Sequence, residues 1–158
     1  MSLKLRRVVT GHDASGRAVV KIDDIAQNVT SRRPGSSSIM VWSSDTFPVN
    51  NEGDEDFGQR KTGTTVENGT VFRVVRYEPG VAPRRHRTDS VDYAVVMSGT
   101  IDMELDGETV TLKAGDVLVQ RGTVHNWVNR SNEPAVVAFV LVAAKPVTVG
   151  GKTLRAEG

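Results

Sequence analysis

Two histidines and a carboxylate in the second half of the chain could do metal or proton-transfer chemistry. His86 and Asp92 stand close together, and His125 follows further along the chain. Two imidazoles and one carboxylate suit a divalent metal such as Fe, Mn, Zn or Ni. Without a metal, the same groups could act as general acid and base, or be hydrogen-bonded pocket residues. The sequence therefore offers His86, Asp92 and His125 as catalytic and metal-binding candidates, and leaves metal binding open.

Other polar and aromatic residues near these three could hold a substrate. Arg84 shares the alternation of His86, and a guanidinium at that point could orient a carboxylate or an enolate as part of the catalytic set. Arg84 could equally be an exposed charge on a strand edge, and Trp127 could be a core anchor. The candidates for substrate binding are Thr88, Tyr93, Gln120, Arg121 and Trp127.

The segments around the candidates alternate between apolar and polar residues with the period of β-strands. Short runs separated by Gly, Pro and Asp predict strands at 71–77, 101–105, 110–112, 117–120, 124–129 and 135–143. Asp106-Gly107 predicts a two-residue hairpin turn. His86 would then leave one strand, Asp92 would start the next and His125 a third, so a barrel could bring the three side chains together.

The first seventy residues are less regular. A hairpin is predicted between 5–10 and 17–22, and a strand at 38–42. Segment 31–38 is rich in Arg, Pro, Gly and Ser and is predicted to be irregular, as is 43–68, which carries an acidic cluster at 50–56. A long irregular segment of this kind is either a solvated surface loop or a lid over a site.

The candidates lie within two motifs that resemble those of the cupins. Residues 80–99 follow the pattern G(x)5HxH(x)3E(x)6G, except that Thr88 stands at the second His and Asp92 at the Glu. Residues 115–129 follow G(x)5PxG(x)2H(x)3N, without the Pro and one residue short. The matching positions of the second motif are Gly115, Gly122, His125 and Asn129. Together the motifs cover about fifty residues.

This resemblance implies an all-β, double-stranded β-helix (a jelly-roll barrel) with an N-terminal β extension. We expect one structural domain, with N-terminal strands and loop at 1–70, a barrel core at 71–145 and a C-terminal tail at 146–158. The resemblance implies an enzyme acting on a small oxygenated molecule, a carboxylate or enolisable ketone, by metal-assisted lyase, isomerase or dioxygenase chemistry. A metal-free enzyme using His and Asp, or a non-catalytic binding module, are the alternatives. It also implies a homodimer.

Composition limits the partners. The 158 residues carry 20 basic and 19 acidic side chains, so no net field favours nucleic acid or an anionic membrane. There is no cysteine, which leaves only nitrogen and oxygen ligands for a metal. No apolar run is long enough for a membrane span or a signal peptide, so we expect a cytoplasmic protein.

Overall fold

The computed structural model describes residues 3–158, so the first two residues of the predicted 1–70 segment lie outside it. The predicted all-β class is confirmed: the described chain contains no α-helix, only a short 3-10 helix at Phe57–Gln59. No helix among these residues is long and apolar enough to cross a membrane. The strands are β1 (Arg6–His12), β2 (Ala18–Ile25), β3 (Val29–Thr30), β4 (Ser36–Ser44), β5 (Thr70–Tyr77), β6 (Ser90–Ser98), β7 (Thr100–Glu104), β8 (Thr109–Lys113), β9 (Val117–Arg121), β10 (Asn126–Val128), β11 (Ala135–Ala143), β12 (Val147–Val149) and β13 (Lys152–Leu154).

Two antiparallel sheets form the barrel. The larger has the order β3-β4-β5-β11-β6-β9, and the smaller has the order β10-β7-β8. Buried side chains from both sheets pack into one core; Val96 and Phe139 come from the larger sheet, and Ile101 and Trp127 from the smaller. The crossing of the chain between the sheets, with β11 between β5 and β6, is the double-stranded β-helix that the sequence predicts.

Side-chain alternation explains which residues face the interior. In β6 the buried residues Asp92, Ala94 and Val96 alternate with the exposed Tyr93 and Val95. Successive side chains of a strand point to opposite faces, so this register directs one set into the barrel and the other to its outer surface. Asp92 therefore enters the barrel interior on an otherwise apolar stripe.

The predicted hairpin turn lies where the sequence places it. The Leu105 N–H donates to the Glu108 carbonyl at 2.8 Å and closes the hairpin over Asp106-Gly107. Gly99 joins β6 to β7 with φ of 75°, and a Cβ on it would lie 2.4 Å from the Pro134 carbonyl oxygen. Both the left-handed backbone and this close approach require glycine, which gives that position of the motif a physical reason.

Three segments differ from their predicted form. The predicted irregular segment 31–38 is wrong at its end, because 36–38 pair with β5 as the start of β4. The predicted strand 124–129 is shorter, since β10 covers only Asn126–Val128. The tail at 146–158 contains the hairpin of β12 and β13.

The N-terminal hairpin of β1 and β2 forms a sheet of its own. Arg7 ties it to the barrel, because its guanidinium donates to the Val41 carbonyl and to both carboxylate oxygens of Asp56. The segment 43–68 is mostly irregular, and Phe57 within it stacks on Trp42 of β4 with ring centroids 5.8 Å apart. Hairpin and loop are thus joined to the larger sheet through a few specific contacts.

Candidate functional site

The two motif histidines lie side by side. His86, in the connection from β5 to β6, and His125, directly before β10, form an isolated antiparallel bridge. Each N–H donates to the other's carbonyl, at 3.0 and 2.9 Å. Directly opposed residues of an antiparallel pair present their side chains on the same face, and the two imidazole centroids are 4.3 Å apart. The backbone itself therefore pairs the rings.

Each ring is held in one tautomer. The Nδ1 of His86 donates to the Arg84 carbonyl at 3.0 Å, and the Nδ1 of His125 donates to the Thr123 carbonyl at 2.9 Å. A carbonyl only accepts, so the proton is on Nδ1 and the lone pair is on Nε2. Both rings line a cavity between the two sheets. The pair thus offers two unprotonated Nε2 nitrogens to a ligand.

Both imidazoles are neutral at pH 7. Burial lowers the pKa of His125, and burial together with the neighbouring His125 lowers the pKa of His86 to about 4. Removing a charged imidazole from water is unfavourable, and a second ring beside it adds repulsion. In the resting state each ring can therefore accept a proton or ligate a metal, but carries no second proton to donate.

Asp92 does not complete a three-ligand set. Its carboxylate accepts a hydrogen bond from the Ser90 hydroxyl at 2.6 Å, and the Ser90 oxygen lies 2.7 Å from the Thr88 hydroxyl. Burial raises the pKa of Asp92, and the Ser90 hydrogen bond and the charge of Arg73 partly oppose this. Within residues 3–158 no three His, Asp or Glu side chains cluster closely enough to hold a metal ion. The expected triad of His86, Asp92 and His125 is therefore not assembled, and the donor set does not fit a metal as it stands.

The shorter side chain explains this arrangement. Asp has one methylene fewer than the Glu of the motif, and its partner Ser90 is two residues away on the same face of β6. Thr88 stands where the motif has its second imidazole and is a half-buried hydroxyl bonded to Ser90. The two motif departures thus form one chain of hydroxyls and carboxylate in place of two ligands.

The cavity of about 80 Å³ between the sheets is strongly basic. Its wall includes both histidines, Asp92 and Trp127, together with four arginines, namely Arg32, Arg33, Arg73 and Arg84. Among residues 3–158, Asp92 is the one acidic residue on the wall. Four guanidiniums around one carboxylate make an electropositive interior, which attracts an anionic small molecule.

Tyr77 and Trp127 form the aromatic part of the wall. Their rings stack with centroids 6.2 Å apart, and the Arg33 guanidinium lies 5.7 Å from the Tyr77 ring centroid. Burial raises the pKa of Tyr77, so its hydroxyl stays protonated. Trp127 also contacts His125 edge to face at 6.2 Å. The aromatic residues therefore border both the imidazole pair and the basic part of the cavity.

The structure brings some of the other predicted site residues to the cavity and not the rest. Arg84 and Trp127 line it. Gln120 is buried directly across from Asp92, and its amide donates to the Thr123 hydroxyl. Tyr93 is 51% exposed on the outer face of β6, and Arg121 is an exposed residue that lines a different groove. Tyr93 cannot share the cavity with Asp92, because adjacent strand residues face opposite ways.

The sequence interpretation did not include Arg32, Arg33, Arg73 or Tyr77. Arg73 and Tyr77 stand in register with the buried Val71 and Val75 on β5. A charged residue within a buried apolar stripe is a signal that could have been read. Arg32 and Arg33 lie in the connection before β4, and no local pattern indicates that this connection reaches the cavity.

Comparison with known proteins agrees with this geometry. The Cupin domain family model matches residues 73–142. The chain is 39% identical over 159 residues to "Phomopsin biosynthesis cluster protein C'" of Diaporthe leptostromiformis, covering 94% of this chain and 83% of that protein. It is 35% identical over 156 residues to "Cupin-domain-containing oxidoreductase fogC" of Aspergillus ruber, covering 94% and 77%.

A solved structure supports the fold. The polyketide cyclase RemF from Streptomyces resistomycificus superposes with a TM-score of 0.54 at 13% identity, over 84% of this chain and 79% of that chain. At this identity the likeness concerns the fold alone. The two-sheet barrel, the motif histidines and the sequence relatives lead to one conclusion: this chain belongs to the cupin family.

Proposed function

We propose that this cupin is an enzyme that moves a proton on a small, oxygenated organic anion, as an isomerase or a lyase. One observation carries the proposal: two neutral imidazoles, with free Nε2 lone pairs, face a cavity rich in guanidiniums. The relatives' names, a biosynthesis cluster protein and a cupin-domain oxidoreductase, support an enzymatic role. The cavity volume of about 80 Å³ suits a small molecule rather than a polymer.

The residues suggest a sequence of proton transfers. The Nε2 of one imidazole takes a proton from the carbon beside a substrate carbonyl, and the C–H electron pair forms the enolate. Arg84, half-buried on the cavity wall, stabilises the negative oxygen. Return of the proton to a different atom by the imidazolium gives an isomer, whereas loss of a leaving group from the enolate gives an elimination. Neither outcome consumes an oxidant.

Asp92 has a supporting position in this scheme. It shares the wall with both imidazoles and is bonded to Ser90. We propose that it orders this wall through the hydroxyls of Ser90 and Thr88. A metal-assisted lyase, isomerase or dioxygenase reaction would need a third ligand beside His86 and His125, and the candidate is the Oδ2 of Asp92, because Ser90 binds only its Oδ1.

The test is solvent exchange of an acidic C–H. The protein is incubated in D2O with 2-oxoglutarate, an enolisable carboxylate, and loss of the proton signal beside its carbonyl is followed by NMR. We expect catalysed exchange that falls about 100-fold or more in His86→Ala or His125→Ala. His12→Ala is the matched control, because His12 is exposed at the end of β1.

Two results would contradict the proposal. The first is exchange at the uncatalysed rate although 2-oxoglutarate and other 2-oxo acids bind in the cavity. This result would indicate a non-catalytic binding module. Exchange abolished by EDTA and restored by Fe, Mn, Zn or Ni, with stoichiometric metal by elemental analysis, would favour the metal-dependent enzyme over the imidazole pair alone.

We also propose a homodimer, supported by an exposed apolar face. Val117 and Val119 of β9 are 72% and 57% exposed, and they lie across from Val95 and Tyr93 of β6. These two strands over about five residues give roughly 160 Å² of sheet face. A standard interface needs about 800 Å² from each partner, so the N-terminal hairpin would have to contribute as well. That hairpin exposes three apolar side chains, Val8, Val20 and Ile25.

A further inference from the structure

Three of the cavity arginines converge on one short turn, 62–64. Arg32 donates to the Thr62 carbonyl at 2.9 Å and to the Thr64 hydroxyl at 3.2 Å. Arg73 donates to the Gly63 and Thr64 carbonyls, both at 3.0 Å. Arg84 donates to the Thr64 hydroxyl at 3.2 Å. Three cations therefore share neutral acceptors on three consecutive residues.

Most of the other arginines pair with a carboxylate. Arg7 pairs with Asp24 and Asp56, and Arg60 and Arg130 also contact two carboxylates each. Within residues 3–158 no Asp or Glu side chain forms an ion pair with a member of the cavity set, here named the guanidinium cluster. Its members are Arg32, Arg33, Arg73 and Arg84. Arg84 also donates to the Gly158 backbone oxygen at 3.4 Å. Like charges held together in this way repel one another unless an anion lies among them.

Two buried nitrogens in the cluster lack any partner in the described chain. They are Arg33 Nη1 and Arg73 Nε. Arg73 is 8% exposed, and Arg33 is half-buried over the Tyr77 ring. Buried polar groups are normally hydrogen-bonded, so unpaired donors on a cavity wall indicate that the acceptor comes from a ligand.

We propose that the guanidinium cluster binds a second anionic group of the substrate, so that the ligand is a compact dianion. The paired N–H groups of a guanidinium match both carboxylate and phosphate oxygens. The expected ligand is therefore a small dicarboxylate or a phosphate ester. This inference rests on the proposed function and deepens it, because it names the class of molecule that the imidazole pair acts on. The turn 62–64 supplies neutral oxygens to three of the four arginines, namely Arg32, Arg73 and Arg84.

The experiment measures anion binding to the whole protein by calorimetry. The probes are malonate, inorganic phosphate and acetate, each titrated at fixed ionic strength. We expect malonate or phosphate to bind at least about tenfold more tightly than acetate, because the second charge reaches further guanidiniums. Preference for malonate would identify a dicarboxylate site, and preference for phosphate a phosphate-ester site.

Two variants separate a ligand site from a structural role. Arg73→Met is expected to weaken dianion binding about tenfold or more, whereas Arg76→Met should leave it unchanged. Arg76 lies on the same strand but is paired with Glu78, away from the cavity wall. If Arg73→Met does not fold by circular dichroism, Arg33→Met replaces it, because the Arg33 side chain has a buried nitrogen without a partner.

The outcomes distinguish this inference from the proposed function. Dianion binding retained in His86→Ala and lost in Arg73→Met supports the cluster even if no proton exchange is found. Equal affinity for acetate and both dianions, or unchanged dianion binding in folded Arg73→Met and Arg33→Met, would overturn it. Proton exchange by the imidazole pair could still stand in that case.

Discussion

Two buried arginines should respond to the same substitution in opposite ways. The side chain of Arg7 is 1% exposed and is bonded to the carboxylates of Asp24 and Asp56. Arg73 is 8% exposed, and within residues 3–158 its side chain is hydrogen-bonded only to two carbonyls of the turn 62–64. Replacing each by Met, which has a similar length and no charge, tests whether a buried guanidinium serves the fold or a ligand.

The expected loss at Arg7 follows from its partners. Removing one member of a buried ion pair costs about 3–5 kcal/mol. Asp24 and Asp56 are 42% and 26% exposed, so water compensates part of this. We therefore expect Arg7→Met to lower the free energy of unfolding by about 2–3 kcal/mol.

At Arg73 the cost of burying the charge is about equal to the gain from its hydrogen bonds. Burial, with nearby Arg32 and Arg84, lowers the pKa of Arg73 to about 10 from its ordinary value of 12.5. That shift corresponds to roughly 3 kcal/mol against the charged form. Two hydrogen bonds to carbonyls, each about 1.5 kcal/mol, offset it. Arg73→Met should thus unfold with a free energy equal to wild type or up to about 1 kcal/mol higher, because Met also suits the apolar stripe of β5.

Urea unfolding, followed by tryptophan fluorescence at one protein concentration, measures both variants. The reasoning requires a difference of about 3 kcal/mol between them. If Arg73→Met is as unstable as Arg7→Met, Arg73 is a structural anchor of the turn 62–64. The unpaired nitrogen of Arg73 would then no longer indicate a ligand site.

Three further results are expected. Arg7 lowers the pKa of Asp56, so the contribution of this carboxylate is full above its unfolded pKa and lost as pH falls; Asp56→Asn should differ from wild type in urea unfolding at pH 7 and converge with it in acid. Asn129 is 1% exposed and donates to the Tyr77 and Glu133 carbonyls, so Asn129→Ala should lower the unfolding free energy by about 3 kcal/mol in the same assay. Val119→Lys should convert a dimer to a monomer by light scattering, and an unchanged mass would exclude that face from the interface.

The sequence could predict the barrel because its signals are local. Two-residue alternation, turn residues such as Asp106-Gly107 and the motif glycines each depend on a few neighbouring positions. The meeting of His86 with His125 also followed from the two motifs, although these residues are far apart in the chain. The motif spacing does not show which groups a side chain contacts. The hydrogen bond of Asp92 with Ser90 therefore could not be predicted from the sequence.

The basic cavity was missed for a different reason. Arg33 enters through a connection whose path depends on packing against the finished sheet, and no short pattern encodes that path. Arg73 was open to prediction, since it interrupts a buried stripe between Val71 and Val75. The prediction of Tyr93 as a substrate-binding residue failed because of strand register. A strand that directs Asp92 inward must direct Tyr93 outward.

The histidine pair and the guanidinium cluster explain how a chain with a changed metal motif can keep a polar cavity. Replacement of a ligand imidazole by Thr88 and of Glu by Asp92 removes two strong donors, but the His86–His125 bridge is set by backbone hydrogen bonds that those changes do not touch. The rings therefore stay neutral, paired and open to the cavity. Four guanidiniums with one carboxylate make the wall electropositive, so the cavity attracts an anionic substrate and repels a cation.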